Sequence, residues 1–446
     1  MERREKLPEG LCAGIDRLVE LFQLEGRSPL QVPEQFTAYL FMMLESQWER
    51  LYVSDYISEE DFYRAKAENR IWGEMLGDVS LVQSEQLYRE LSRLLLEVHD
   101  TWRGLSLEDC SRLGDLFDYV LKAVFCKGGK TCFFTPVNIA SLLVGLTNPE
   151  GKVVWDPACG SGTLLVQVMK EAQGMIEPDL MGSDVNEQMV RLTRMNLFFH
   201  GIRSAYIAQT DSLKEPQKAD VILANPPVIS GSAAHLDFVQ MISESLNPGG
   251  RAAVLINEAF LFTMHAAERK IRENLLEKHG LSAVFSLPEG VFAPYTSAKS
   301  SVLLFGDKQE SREPVLFYEI RQVGYTLNKR CTPTDQNEIP DAIKVYRDRD
   351  WHYGKWTDAL NNGTNYNANG VEVPEDWEER FWFAERESIR QNDYILLADR
   401  YRPVRREEQR RQESIGELVR KLGELEQGSR ERLQELEEIF GEKGWL

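Results

Sequence analysis

Apolar positions over the first 125 residues recur at intervals of three and four. "FTAYLFMMLESQWERLYV", "SEQLYRELSRLLLEVHDTW" and "LGDLFDYVLKAVF" each set a stripe of Leu, Phe, Tyr and Val along one side of a 3.6-residue repeat. Prolines are few there, so the pattern predicts a helical N-terminal domain over 1–125. From about residue 150 the rhythm changes. "KVVWDPACGSGTLL" reads as a short strand, a Gly-bearing turn and a helix, and "LMGSDV", "AYIAQTD", "ADVILANPP", "GGRAAVLINEAF", "GLSAVFSLPEG" and "SSVLLFGD" supply further strand-length runs. "NEQMVRLTRMNLFFHG" and "HLDFVQMISESLN" carry helical spacing between them. Strands alternating with helices predict an α/β domain over 126–330, with a mostly parallel sheet covered on both faces. In such a sheet a ligand sits beyond the carboxyl ends of the strands, where the strand order reverses.

Residues 331–403 lose this regularity. "DALNNGTNYNANGVEVPEDW" is rich in Asn and Gly and predicts an irregular surface extension. In 404–446, Ile415, Leu418, Leu422, Leu425, Leu433, Leu436 and Phe440 fall mostly on one stripe in a charged background. Gly423 and Gly428 interrupt it, which favours a short helical segment over a long coiled coil. That stripe either docks a partner or packs back on its own chain.

At 446 residues the chain exceeds one ordinary core, so two or three domains are expected. No run approaches eighteen apolar residues, and the charged N-terminus has no apolar stretch of signal-peptide type behind it. The six cysteines (Cys12, Cys110, Cys126, Cys132, Cys159 and Cys331) are scattered, a reduced pattern that points to the cytoplasm. Cys126 and Cys132 lack the further ligands that a closed zinc site needs, so no metal is expected. The formal net charge of −19 alters the picture more. A chain that acidic is repelled by phosphates, so either its substrate is not nucleic acid or a partner supplies most of the grip.

The candidate chemistry lies at three strand ends and one turn. In "DPACGSGTLL", Gly160 and Gly162 let the backbone approach a ligand, and the following helix aims free N–H groups at it. Two glycines without a third make a poor dinucleotide fingerprint. Asp184 ends the next strand, placed to accept from ribose hydroxyls, and Asp211 closes the third, placed to accept from an adenine amine. Either acid alone could equally be a helix cap. Together they favour an adenosine-containing ligand. Asn225 then ends the fourth strand, and Pro226 and Pro227 stiffen the backbone beyond it. An amide oxygen and neighbouring carbonyls held there can accept both hydrogens of an exocyclic amine, which draws its lone pair out of conjugation.

"DPACGSG" followed about seventy residues later by "ANPP" resembles the amino-group DNA methyltransferases. "GKTCFFTPVNIASLLVGL", "LNPGGRAAVLINEAFLF", "IRENLLEKHGLSAVFSLPEGVFAPYTSAKSSVLLF", "FYEIRQVGYTLNKR" and "IRQNDYILLADRYRP" resemble, in order, the modification subunits of type I restriction–modification systems. The resemblance covers roughly residues 110–403. It implies an α/β fold, with a Rossmann-like S-adenosylmethionine-dependent methyltransferase sheet, a helical N-terminal domain and a C-terminal helical tail. It implies adenine-N6 methylation of a base flipped from duplex DNA, with S-adenosyl-L-methionine as cofactor, a specificity subunit reading the sequence and a restriction subunit joining for cleavage. By position, Phe134, Thr135 and Pro136 would meet the methionine part, and Asp156, Ala158, Gly160 and Gly162 would shape the pocket. Asp184 would hold the ribose, Asp211 the adenine ring, and Asn225 and Pro226 the target amine.

Val228 departs from the family pattern, which has Phe, Tyr or Trp after Asn-Pro-Pro. Base–aromatic stacking is worth roughly 1–3 kcal/mol. Two expectations follow: an active enzyme aided by Phe292 or Tyr295, or a weakened methyltransferase-fold subunit serving cofactor binding or assembly. Among rival classes, a dehydrogenase leaves the Asn-Pro-Pro turn without a role. A glutamine-modifying methyltransferase would use that turn but not the flanking segments. A pure scaffold would not bind the cofactor.

Overall fold

The computed structural model describes residues 7–46, 79–81, 84–102, 110–127, 135–227, 234–293, 296, 298–306, 313–327, 332–354, 380–402 and 420. The chain divides into two compact units, Met1–Asp350 with Arg380–Tyr401, and Trp351–Glu379 with Arg402–Leu446. The first unit carries the sheet and the candidate site. The tail expected over 404–446 lies outside the described residues apart from Arg420, as does the Asn- and Gly-rich stretch 358–377. Among the described residues no helix is long and apolar enough to cross a membrane.

The three-and-four spacing near the N-terminus forms helices that bury the predicted stripes. Helix Glu9–Leu24 buries Leu11, Ile15, Leu18, Val19 and Phe22. Helix Glu85–Thr101 buries Leu87, Leu91, Leu94, Leu95 and Val98, and it begins at Ser84, whose side chain accepts the Leu87 N–H. With helices Gln31–Ser46 and Cys110–Lys127 they enclose a core that also contains Met189, Leu192, Met195 and Phe199 of helix Glu187–Phe199. The rings of Phe117 and Phe199 lie 4.9 Å apart within it. The buried Glu34 carboxylate accepts from Arg191 Nε at 2.9 Å and Gln188 Nε2 at 3.1 Å. The N-terminal helices thus pack directly on a helix that covers the sheet.

That sheet has nine strands: β1 (Val153–Asp156), β2 (Asp179–Asp184), β3 (Tyr206–Gln209), β4 (Ala219–Ala224), β5 (Leu246–Asn257), β6 (Ala283–Ser286), β7 (Ser300–Phe305), β8 (Val315–Glu319) and β11 (Phe381–Ala384). Two further strands, β9 (Val323–Tyr325) and β10 (Pro333–Asn337), pair separately. The order is β11-β8-β6-β7-β5-β4-β1-β2-β3. Strands β1 to β5 run parallel, with Val154 opposite both Leu180 of β2 and Val221 of β4. All residues of β6 and β7 are buried, as continuous apolar runs require when both faces of a sheet are covered.

The sheet is mostly parallel, as expected, with two exceptions: β7 lies antiparallel between β5 and β6, and β11 is antiparallel to β8. One expectation is corrected here. The segment 331–403 is not an irregular extension throughout. It contains helix Ile339–Arg347, and β11 adds an edge strand to the main sheet. The cause is the short run "FWFA", whose Trp382 is wholly buried and donates from Nε1 to Ala398 O at 3.2 Å. Four apolar residues set among charges were too few to stand out as a strand.

Candidate active site at the strand switch point

Going outward from β1, the chain runs to β2 and β3 on one side and to β4 and β5 on the other. The carboxyl ends of β1 and β4 therefore flank a crevice that no crossover connection covers. Thr135, Asp156, Ala158, Cys159, Gly160, Ser161, Thr163, Leu164 and Asn225 line it. Five of these are residues the sequence singled out.

Asp156 ends β1 and is only 1% exposed. Burial pushes its carboxyl up to about 8, with the charge of Asp184 adding to the rise and a hydrogen bond from Ala158 N (3.1 Å) opposing it. The desolvation cost is dominant because one backbone donor cannot replace the hydration of a charge. Asp184 ends β2 and accepts two backbone donors, Gly160 N at 3.0 Å and Asn186 N at 2.8 Å. Burial raises its pKa against those two bonds. Each oxygen still keeps acceptor capacity, since a carboxylate offers about four lone-pair sites.

The glycine turn between them is fixed from behind. Cys159 N donates to Ser183 O, Thr193 Oγ1 to Gly160 O at 2.7 Å, and Asn196 Nδ2 to Ser161 O at 2.9 Å. Gly162 has φ 77°, and a Cβ there would stand 2.9 Å from Thr193 Cγ2, so the covering helix forbids a side chain. Gly160, with φ 54°, differs. A Cβ on it would meet only Ala158 O at 3.9 Å and otherwise open space. Its bare backbone faces the crevice. Cys159 is buried and its thiol is driven well above its ordinary pKa by desolvation, which makes it a wall and not a nucleophile.

On the opposite side Asn225 follows β4, and its Nδ2 donates to Thr135 Oγ1 at 3.0 Å. Pro226 is buried and Pro227 exposed. Pro136 precedes helix Val137–Thr147, which is buried on nearly all sides. Thr135 and Asn225 are 90 residues apart in sequence, and the fold closes that separation.

The remaining predicted residues divide. Phe134 and Val228 lie outside the described residues, as does Tyr295. Asp211 sits two residues beyond the end of β3 and outside the crevice lining. Its carboxylate accepts Leu213 N at 3.1 Å and pairs with Lys214 at 3.0 Å, and Lys214 holds its pKa below the usual range. Phe292 is only 5% exposed and packs in the core. Lys299 pairs with Glu258 at 3.1 Å. The residues that sequence reasoning missed are Ser183, Thr193, Asn196 and Ser212. Ser212 Oγ donates to Pro157 O at 2.6 Å. They give no motif, because Thr193, Asn196 and Ser212 donate to backbone carbonyls and the Ser183 carbonyl accepts from Cys159 N, in positions that only the fold reveals.

Comparison with known proteins agrees with this arrangement. A family model described as N-6 DNA Methylase matches residues 108–230 and 228–410. The methylase subunit of the type I restriction enzyme EcoEI from Escherichia coli is 29% identical over 238 residues, 46% of this chain and 48% of that protein. The chain thus spans about half the length of that relative. The StySPI methylase subunit from Salmonella potsdam is 25% identical over 444 residues, covering 82% of this chain and 82% of that protein. Among solved structures, a type I restriction-modification methyltransferase subunit from Streptococcus thermophilus superposes with a TM-score of 0.62. It covers 88% of this chain and 99% of that one at 17% identity, a likeness of fold. With more than half of its length under the family model and its strand-end residues gathered at the switch point, the chain belongs to the N-6 DNA methylase family.

Proposed function

We propose that this chain is the methyl-transferring subunit of a type I restriction–modification complex, methylating adenine N6 in DNA with S-adenosylmethionine as methyl donor. The observation that carries this reading is one crevice with two unlike walls. One wall is the uncovered backbone of Gly160 between two strand-end carboxyls, and the other is the carboxamide of Asn225 braced by Thr135.

The residues fit that donor chemically. Gly160 leaves space where any side chain would intrude. Asp184 retains lone pairs for ribose hydroxyls after accepting its two backbone bonds. Asp156 places a carboxyl where a cationic ligand would favour its charged form. Phe134, Thr135 and Pro136 would meet the amino-acid end, Ala158 and Gly162 the wall. Asp211 would accept from the adenine amine with the acceptor capacity left beside Leu213 N and Lys214. Bound there, S-adenosylmethionine supplies an electrophilic methyl group.

The rest is done by the chain itself. Asn225 Oδ1 and the Pro226 carbonyl accept the two hydrogens of the target amine, and Pro226 and Pro227 hold those acceptors in place. Preorganised acceptors suffice, because the amine needs its lone pair freed rather than a strong base. The target base must leave the duplex to reach the crevice. A net charge of −19 leaves duplex binding to a partner, which the specificity subunit of such a complex would provide, with a restriction subunit joining for cleavage. The cytoplasm is the compartment that this assignment implies.

The test uses S-adenosylmethionine carrying a labelled methyl group and adenine-containing duplex, with and without the specificity partner. Label should enter DNA only with the partner present and should vanish in Asn225→Ala. The methyl donor should also raise the melting temperature of the chain. Absence of both label and stabilisation would overturn the assignment.

A further inference from the structure

We propose that Thr135 is a positioning residue that sets the orientation of the Asn225 carboxamide, and that a ligand in the crevice controls it. The inference rests on the functional reading above and extends it to a residue that would otherwise be only part of the cofactor wall.

A carboxamide has one acceptor end and one donor end, and only one orientation is useful here. With Oδ1 toward the target amine, acceptor meets N–H. Flipped, two donors face each other and the amine lone pair is not released. The structure has Asn225 Nδ2 donating to Thr135 Oγ1 at 3.0 Å, which leaves Oδ1 for the substrate side. Thr135 is 8% exposed, immediately before Pro136 and the buried helix Val137–Thr147. That helix is pinned in turn, with Asn138 Nδ2 donating to Val323 O at 2.6 Å. The hydroxyl therefore has a fixed place and one free choice, the direction of its proton.

That choice decides the flip. A hydroxyl can accept from Nδ2 or donate to Oδ1, so by itself it permits both orientations of Asn225. If its proton is given to another acceptor, it can only accept from the carboxamide. Thr135 and Asn225 line the same crevice as the glycine turn. An acceptor bound there, such as the carboxylate of the methyl donor's amino-acid end, takes the Thr135 proton. The hydroxyl is then committed to accept from Nδ2, and Oδ1 is committed to the target amine. Occupancy of one wall thereby arms the other.

Selective labelling of asparagine amides in the full chain, with Asn225→Ala used for assignment, reads the orientation by nuclear magnetic resonance without any turnover. S-Adenosylhomocysteine serves as probe. Its addition should slow solvent exchange of the Asn225 amide hydrogens in the native chain and in Thr135→Ser, and leave them unprotected in Thr135→Val. In the assembled complex at saturating methyl donor and DNA, Thr135→Val should lower kcat about 10- to 100-fold, the scale of a misplaced reactive group. Thr135→Ser should stay within about threefold of the native rate by the same measure. Unchanged amide protection in Thr135→Val, or a raised KM for methyl donor with kcat intact, would overturn the positioning role. If no form transferred methyl groups, the functional assignment would fall. The amide exchange would still decide whether Thr135 orients Asn225.

Discussion

The two wings of the sheet use charged side chains in opposite ways. On the β1–β2 side, carboxyls at strand ends receive backbone N–H groups: Ala158 N on Asp156, and Gly160 N and Asn186 N on Asp184. On the β6–β8–β11 side, guanidinium groups receive backbone carbonyls. Arg272, with no exposure, donates to Phe260 O, Thr263 O and Tyr394 O at 2.6–2.9 Å. Arg386 donates to Glu313 O, Leu276 O and Leu281 O at 2.6–2.7 Å. The acids bind loop amides at the mouth of a crevice and keep lone pairs to spare. The arginines are sealed inside and staple late chain segments to the core. Burial of ionisable groups accompanies the candidate site in one wing and makes a fastening in the other.

The comparison is broken most directly in the fastened wing. Arg272→Ala takes the donor from one buried carbonyl, Phe260 O, and two part-buried ones, Thr263 O and Tyr394 O, and a buried one left unrelieved costs about 1–3 kcal/mol. A loss on the order of 3 kcal/mol of stability is expected, from the unpaired carbonyls together with the lost packing of the side-chain stem. Thermal or denaturant unfolding measures it. Arg272→Lys should recover little, because an ammonium cannot serve three carbonyls in a planar fork. Unfolding curves that overlay the native one would show that the arginine is ornamental.

The crevice wing should answer in the other currency. Asn225→Ala removes the proposed acceptor; deleting one preorganised hydrogen-bond donor from an active site costs about 10²–10³ in kcat, and a loss on that scale is expected here. The same change removes one hydrogen bond, that to Thr135, so stability should fall by only about 1 kcal/mol. Single-turnover methyl transfer and melting curves on one preparation separate the two readouts.

How much of this was legible beforehand follows the same division. The crevice wing could be read because its residues mark strand ends: "WDPACGSG", "GSDV" and "ANPP" combine an apolar run, a turn and a chemical group within a few positions. Asp156, Asp184 and Asn225 fell where their strands predicted. Asp211 shows the limit. The third strand stops at Gln209, and the acid two residues beyond it turns to Leu213 N and Lys214 and stays out of the crevice lining. The fastened wing was largely illegible. Arg272 and Arg386 sit in charged helical stretches where a buried guanidinium and a solvated one look alike, and β11 is joined to β8 only by pairing across more than sixty residues. Thr135 was legible as a neighbour of the cofactor through its motif, but its bond to Asn225 depends on two segments meeting in space.

A smaller effect sharpens the electrostatic side. Asp156 has its folded pKa raised to about 8 from an ordinary value near 4. The native chain therefore binds an extra proton across that window, and its unliganded stability should decline as pH rises from about 4 through 8. A cationic ligand in the crevice favours the ionised carboxyl, so binding releases the proton. Affinity for S-adenosylmethionine should then strengthen with rising pH, by up to about tenfold per unit below 8, and level off above it. Asp156→Asn should flatten the profile. Calorimetry in buffers of different ionisation enthalpy would detect the released proton, and a wild-type profile as flat as the variant's would show that the carboxyl is already charged.

The smallest expected change concerns Val228, where the sequence offers apolar contact but no π-face. Stacking by an aromatic ring is worth roughly 1–3 kcal/mol per base, and on the mechanism proposed above it would add to a base held by two carbonyl acceptors. Val228→Phe should therefore raise kcat/KM for DNA by no more than about tenfold, the lower end of that range. The gain should appear in DNA binding of the flipped state and leave methyl donor affinity untouched, because an added π-face acts by stacking on a base. A target-site duplex with 2-aminopurine in place of the adenine makes the distinction, since its fluorescence rises on unstacking from the duplex and is quenched by a stacked ring. Faster transfer with quenched fluorescence would mean that the native chain works with a weakly held base. Transfer unchanged by the added ring would mean that the carboxamide and proline carbonyl already hold the base fully, and that the missing aromatic costs this site nothing.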